Sequence, residues 1–144
     1  MIVSVVSLES SFDFAALRTF IASHIEDYEQ LETLLFVRRH RQSVSAAVVA
    51  SELKLEAHEA SQALHALAAC NLLAVDDSSA GKTFRYAPRG AELSRGAELL
   101  ALAYGEHRIK LVQLMNSNAL DRARMIALRK FAEGFRLGSP RKNG

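Results

Sequence analysis

Apolar residues recur every three or four positions in two segments near the start of the chain, which is the spacing of an amphipathic helix. The first segment, residues 14–22, follows Ser11 and Asp13, either of which is a suitable N-cap. The second segment runs from residue 25 to about residue 40, and Ser23 stands three positions before a glutamate, as in a capping box. The pattern therefore predicts a short helix followed by a longer one.

Two more helical segments follow, separated by a tight corner. Ser45 is a good N-cap for the first, residues 46–54. The second begins after residues 55–57 and runs to Cys70, with apolar residues on one face. Asn71 tolerates the left-handed backbone geometry that ends many helices. These features predict a helix-turn-helix arrangement.

A strand, turn and strand are predicted next. Residues 72–75 are apolar, and residues 82–87 alternate between polar and aromatic or apolar side chains. The stretch between them, residues 76–81, is acidic and small and ends in glycine, which is typical of a turn. Pro88 and Gly90 then break the pattern. The sequence therefore predicts a β-hairpin.

The rest of the chain is rich in leucine and alanine and predicts long helices. A heptad-like seam repeats there at steps of four and three residues. Its members are Leu93, Ala97, Leu100, Tyr104, His107, Leu111 and Leu114. Further apolar residues lie beside this seam, so the helix needs cover on more than one side. Residues 116–118 are expected to interrupt it, and a last helix then carries Leu128, Phe131 and Phe135.

The order of elements over residues 25–87 resembles the winged helix-turn-helix regulators of bacteria. Individual positions match as well, because Ala50 and Leu53 precede Leu55 at the corner between the two helices. The next helix has small residues and leucines where that family places them: Ala60, Ala63, Leu64 and Leu67, followed by Asn71, Leu72 and Leu73. Leu72 and Val75 are expected to lay the first wing strand on the core. The predicted fold class is mainly α with a small β-hairpin wing, followed by long C-terminal helices.

Four parts of the chain are expected. Residues 1–24 would form an N-terminal arm and short helix, residues 25–89 the winged helix-turn-helix domain, residues 90–137 a helical dimerisation segment, and residues 138–144 a tail. The first eight residues are rich in β-branched side chains and fit either an edge strand or a frayed arm.

The resemblance implies that the partner is double-stranded DNA. In such regulators the second helix of the motif lies in the major groove, and its exposed side chains touch bases and phosphates. The matching positions are His58, Ser61, Gln62 and His65. Cations in the wing and beside the preceding helix would contact the DNA backbone: Arg39, Arg41, Lys82, Arg85 and Arg89. A homodimer is expected, joined through Leu93, Leu100, Tyr104, His107, Leu111 and Leu114.

The distribution of charge weighs against DNA binding by this helix. The net charge of +2 combines −6 over residues 1–81 with +8 over residues 82–144, and residues 25–77 alone carry −5. Affinity for duplex DNA comes largely from neutralised phosphates, yet Glu56 and Glu59 stand where the helix begins. The alternative function is a winged-helix module that binds an unidentified protein and does not contact DNA through this helix.

The basic C-terminal half leaves several interpretations open. It fits an anionic partner, an interface between halves of opposite charge, or solvated helix faces. Arg122, Arg129 and Arg136 recur every seven residues on the last helix, as a basic surface for nucleic acid or an acidic partner, or as a solvated face. The aromatic segment from Phe131 to Phe135 is expected to dock on another surface.

Other chemistries find little support in the sequence. Cys70 is the single cysteine, which excludes an internal disulfide and favours a small buried side chain in a reducing compartment. His58 and His65 are two helical turns apart, about 10.5 Å, too far to share one metal ion. We expect no catalytic residues, metal or cofactor. No secretory signal or apolar run of about 20 residues is evident, so a cytoplasmic protein is expected.

Overall fold

The computed structural model describes residues 12–141, with side chains described as far as residue 135. This part of the chain holds six helices and one two-stranded antiparallel sheet. The helices are α1 Phe14–His24, α2 Tyr28–His40, α3 Ala46–Leu53, α4 Ala57–Ala69, α5 Ala91–Glu106 and α6 Arg108–Arg141, and the strands are β1 Leu73–Ser78 and β2 Gly81–Tyr86. The arm predicted over residues 1–8, the alternative cap Ser11 and the end of the predicted tail lie outside the described residues.

The caps predicted for α1 and α3 are confirmed. The Asp13 side chain accepts a hydrogen bond from the backbone N–H of Ala16 at 2.9 Å, and Ser45 does the same for Val48 at 3.3 Å. Asn71 has a φ of 66°, the left-handed geometry expected after α4. Each cap satisfies a backbone group that the helix itself leaves without a partner.

The capping box predicted at Ser23 is wrong. Ser23 lies inside α1, and α2 is capped by Asp27, which accepts a hydrogen bond from the backbone N–H of Gln30 at 2.9 Å. The Gln30 side chain in turn accepts from the backbone N–H of Glu26 at 2.9 Å. This reciprocal pair satisfies two backbone donors, and the buried Ile25 ends α1 just before it.

The first wing strand is longer than predicted, and the second has the predicted length but begins and ends one residue earlier. They pair in a register that places Asp76 opposite Thr83 and Asp77 opposite Lys82, so the turn is shortened to residues 79–80. Leu72 is buried as expected, but the next buried side chain is that of Leu73, and the side chain of Val75 is 41% exposed. Its predicted place on the core is wrong because the hairpin projects beyond the helices from that point.

The C-terminal helices divide at a different residue from the one predicted. The break falls at His107, whose ring packs against Phe12 at 4.7 Å and Phe14 at 5.2 Å between ring centroids. The helix α6 then runs without interruption through residues 116–118. Asn118 is tolerated there because its buried side-chain amide donates to the backbone carbonyl of Arg18 at 3.4 Å.

One continuous core joins the winged domain to the C-terminal helices. The predicted inward face of α4 is confirmed, since Ala60, Ala63, Leu64 and Leu67 are all buried. Leu53 and Leu55 are half-buried and pack against the core at the corner before that helix, as predicted. The helices α1 and α5 approach so closely that a Cβ at Gly96 would overlap the Phe20 ring. The helix α5 is thus packed on α1, while α4 packs on α2, α3 and β1.

Candidate nucleic-acid interface

The helix α4 presents the four predicted DNA-contacting residues on its outer side. His58, Gln62 and His65 are exposed and Ser61 is half-buried. Gln62 makes no hydrogen bond or ion pair with another described residue, so both its donor and its acceptor remain available. A glutamine in this state can pair with the two groups that adenine presents in the major groove.

His65 has a structural contact in addition. Its Nδ1 lies 2.8 Å from the backbone carbonyl oxygen of Ser61, so this nitrogen carries the proton and donates it. The ring stands edge-on to that of Phe84 in β2, with 5.2 Å between the centroids. Only the Nε2 edge of His65 remains for another partner, and it is an acceptor when the ring is neutral.

The beginning of α4 is acidic, as the sequence indicated. Glu59 accepts a hydrogen bond from the backbone N–H of Glu56 at 2.9 Å, which holds its carboxylate at the first turn. A carboxylate there is favoured by the helix dipole but repels an approaching phosphate. The candidate interface is therefore negative at one end.

This negative charge continues into a cleft between α2 and α4. The cleft has a volume of about 280 Å³, and its lining includes Glu26, Asp27, Glu29 and Glu59. Burial raises the pKa of Glu29, and the charges of Glu59 and Asp27 raise it further. Glu29 therefore lies on a locally negative surface, which is suited to a cation.

The wing cations are partly neutralised by the wing's own acids. The Nε of Arg85 lies 3.4 Å from a carboxylate oxygen of Asp76, and both side chains are 53% exposed. Lys82 is the cross-strand neighbour of Asp77. Each predicted cation of the hairpin thus has an acidic neighbour, so the hairpin contributes little net positive charge.

The flanking cations are brought to the wing by a backbone pairing. Val44 and Phe84 exchange two backbone hydrogen bonds of 2.8 and 2.7 Å, so an isolated antiparallel bridge joins the segment after α2 to β2. Arg39 and Arg41 are exposed just before this segment. Arg89 is exposed behind the wing, where its backbone N–H donates to the Asn71 carbonyl oxygen at 2.9 Å.

A cluster at the base of the wing was missed in the sequence. Arg38 donates to both carboxylate oxygens of Glu98, at 2.6 and 3.0 Å, and the Tyr86 hydroxyl donates to the same carboxylate at 3.0 Å. Arg38 and Glu98 are 60 positions apart, so no local pattern could have joined them.

The residues predicted to join two copies lie mostly in the chain's own core. Leu100 and Leu111 have no exposed surface and Leu114 is 8% exposed, so they leave no surface for a partner. Leu93 is half-buried against the same core. Tyr104 is half-buried and donates to Glu32. His107 is half-buried and occupies the break between α5 and α6. The dimer remains a prediction, and these residues offer little surface for it.

An exposed apolar surface lies on α6. Four large apolar side chains spaced along one face are strongly exposed, and we call them the α6 stripe: Leu120 at 56%, Leu128 at 62%, Phe131 at 68% and Phe135 at 76%. The rings of Phe131 and Phe135 stack with 5.6 Å between their centroids. On the other side of α6, Arg122 donates to the Glu26 carbonyl oxygen, while Arg129 is exposed. The side chain of Arg136 lies outside the described ones.

The described part of the chain holds neither a metal-binding cluster nor a membrane-spanning helix. Residues 12–141 contain no cluster of three or more His, Cys, Asp or Glu side chains arranged to hold a metal ion. None of the described helices is both long enough and apolar enough to span a bilayer. Cys70 is a free thiol whose pKa is raised by burial, and it lies 3.9 Å from the His24 carbonyl oxygen.

Known proteins resemble this chain in structure. No protein-family model matches it, and no curated protein matches its sequence. A mutant of S. aureus MepR bound to an oligodeoxyribonucleotide superposes with a TM-score of 0.50 and 13% identity, over 92% of this chain and 97% of that one. A MarR transcriptional regulator from Methanosarcina mazei gives 0.49 and 12%, over 88% and 97%. The likeness to MepR confirms the winged-helix fold with C-terminal helices.

Proposed function

We propose that this chain is a winged-helix transcriptional regulator that binds double-stranded DNA as a homodimer. The observation that carries the proposal is a set of exposed arginines in the segments that backbone hydrogen bonds tie to the wing and to the end of α4. Arg39, Arg41 and Arg89 take part, through their side chains, in no ion pair or hydrogen bond within residues 12–135. The similarly folded MepR, in complex with an oligodeoxyribonucleotide, supports DNA as the partner.

In this proposal α4 lies in the major groove and the cations hold the backbone. Gln62 reads a base edge, with Ser61 and the Nε2 edge of His65 as further contacts. Arg39, Arg41 and Arg89 neutralise phosphates, which sets position and affinity without reading sequence. Lys82 and Arg85 add less, because each has an acidic neighbour in the wing.

The test is the salt dependence of DNA binding measured by fluorescence anisotropy. Arg41→Ala and Arg89→Ala should each weaken binding to every duplex and reduce the slope of log K against log salt by about 1. Arg95→Ala, which removes an exposed arginine of α5, is the matched control and should leave the slope unchanged. Equal effects of all three variants would refute these phosphate contacts.

The homodimer is proposed to form through the α6 stripe. A large side chain offers roughly 150–200 Å² of surface, so the exposed fractions of the four stripe residues correspond to about 500 Å² in each copy. Two copies would then bury about 1,000 Å², the lower limit for a specific interface. The stripe is self-complementary in a two-fold arrangement, since each copy offers the same apolar face.

A second candidate function is the binding of a basic protein segment in place of DNA. The acidic cleft lined by Glu26, Asp27, Glu29 and Glu59 favours it, because that cleft adjoins the face of α4 that would meet phosphates. Absence of binding to random duplex at about 50 mM salt, where phosphate contacts are strongest, would replace the regulator proposal by this one.

A further inference from the structure

The Glu98 carboxylate is the meeting point of three parts of the fold. It lies on α5, it accepts two hydrogen bonds from Arg38 near the end of α2, and it accepts a third from Tyr86 at the end of β2. The Arg38 pair is bidentate, the geometry in which an arginine–carboxylate contact is strongest. The Glu98 side chain thus links its own helix, α5, to β2 of the wing and to α2, the helix that precedes the exposed Arg41.

The protonation states agree with this geometry. The hydrogen bond from Arg38 lowers the pKa of Glu98, so the carboxylate stays ionised over the physiological range. Burial and the hydrogen bond to Glu98 raise the pKa of Tyr86 to about 12, so the phenol keeps its proton and remains a donor. The three groups therefore hold the charges that their contacts need.

A second contact joins α2 and α5, but only the Glu98 contact also includes the wing. Tyr104 of α5 donates to the Glu32 carboxylate of α2 at 2.8 Å, six positions along both helices from the first contact. The antiparallel helices are thus joined twice. The Tyr104 contact does not reach the wing, whereas the Glu98 contact does.

We propose that Glu98 is a positioning residue that locks the wing hairpin to α2 and α5 and so holds the wing and the flanking cations in one fixed arrangement. Without it, Tyr86 at the end of β2 loses its link to α5, and Arg38 loses the contact that orients the end of α2. The role in DNA binding rests on the proposed function, but the locking of the hairpin does not.

The two tyrosines allow a matched experiment, because each donates its hydroxyl to one carboxylate. Tyr86→Phe removes the wing contact without changing the charge, and Tyr104→Phe removes only the contact between α2 and α5. We expect Tyr86→Phe to speed amide hydrogen exchange in residues 73–86 about fivefold, and to weaken DNA binding about threefold with the salt slope unchanged. Tyr104→Phe should leave hairpin exchange and DNA affinity as in the wild type.

Glu98→Gln, with Glu106→Gln as the control on the same helix, repeats the test from the other partner. Faster exchange confined to the hairpin in Tyr86→Phe and Glu98→Gln supports the proposal. Unchanged hairpin exchange, or equally faster exchange in every helix, overturns it. Faster hairpin exchange in Tyr86→Phe with wild-type DNA affinity overturns the positioning role in binding. A wild-type protein that binds no DNA refutes the proposed function, while the exchange data still decide the lock.

Discussion

Substitution of Phe131 by alanine tests the α6 stripe and its place in the dimer. The side chain is 68% exposed in the single chain, and it stacks on Phe135, which is 76% exposed. If pairing covers the exposed part, alanine forfeits roughly 100 Å² of apolar burial in each copy, worth about 2.5 kcal/mol at 25 cal/mol per Å². Symmetry doubles this figure. Part of it is lost because neighbouring side chains close over the gap, so we expect about 3–5 kcal/mol for each dimer.

The assay is sedimentation equilibrium over a range of concentrations. A loss of that size raises the dissociation constant of the dimer by roughly two to four decades. Leu102→Ala is the control, since Leu102 is 45% exposed but lies on α5, outside the stripe. The free energy of unfolding of the monomer should barely change, because Phe131 contributes little to the core. A dimer that persists unchanged in Phe131→Ala would refute the stripe, and a wild-type monomer at all concentrations would refute the dimer.

Three further predictions follow from single contacts. The double variant Glu56→Gln/Glu59→Gln should raise affinity for random duplex DNA about three- to tenfold at low salt, and this gain should shrink as salt screens the charges. Glu52→Gln on α3 is the control. An unchanged affinity in the double variant would place α4 away from the DNA. Thr33 is fully buried and its hydroxyl has no hydrogen-bond partner, so Thr33→Val should raise the free energy of unfolding in urea by about 1 kcal/mol. Thr19→Val, where the exposed hydroxyl donates to Ala15, should not, and a less stable Thr33→Val protein would contradict the reasoning. Because the pKa of Tyr86 is raised to about 12 from an ordinary 10.0, its contribution to stability is complete below pH 10 and is lost as the pH rises towards 12. Between about pH 9 and pH 11.5, the free energy of unfolding of Tyr86→Phe should therefore fall by about 1 kcal/mol less than that of the wild type, after allowance for solvent screening. Denaturant titrations at the two pH values measure this difference. Equal losses of stability in the two proteins would contradict the raised pKa.

Local sequence patterns were sufficient to predict most elements of the winged domain. They were insufficient where an element's bounds depend on contacts with distant parts of the chain. The inward residues of α4 and the cap at Ser45 follow from spacing and side-chain chemistry within one helix. The start of α2 could not be predicted from local chemistry, because Ser23 and Asp27 are both suitable N-caps. Ile25 is buried between the two helices, and α2 begins after it, with Asp27 as the cap. The break at His107 depends on two phenylalanines more than 90 positions away in the sequence, Phe12 and Phe14.

The candidate site likewise has features that the sequence could predict and features that it could not. Exposed positions on α4 follow from helical periodicity, so Gln62 and His58 could be assigned to the surface in advance. The neutralisation of Arg85 by Asp76 depends on the hairpin register. The sequence assigned Asp76 to the turn, whereas it lies in β1 opposite Thr83. The contact between Arg38 and Glu98 joins helices on either side of the wing. Sequence could therefore count the cations of the interface but could not tell which of them are free.

The number of free cations links DNA binding to the dimer. With the wing nearly neutral, each copy offers about three phosphate contacts, through Arg39, Arg41 and Arg89. Three contacts give a salt slope near −3 and weak binding, whereas a dimer with six would reach about −5. The acidic start of α4 reduces the attraction further, so a single copy binds DNA poorly at physiological salt. Phe131→Ala should therefore lower DNA affinity as well as dimer stability, although Phe131 lies on α6, outside the proposed DNA-contacting face. Tight DNA binding by a monomeric Phe131→Ala protein would show that the phosphate contacts lie elsewhere in the chain.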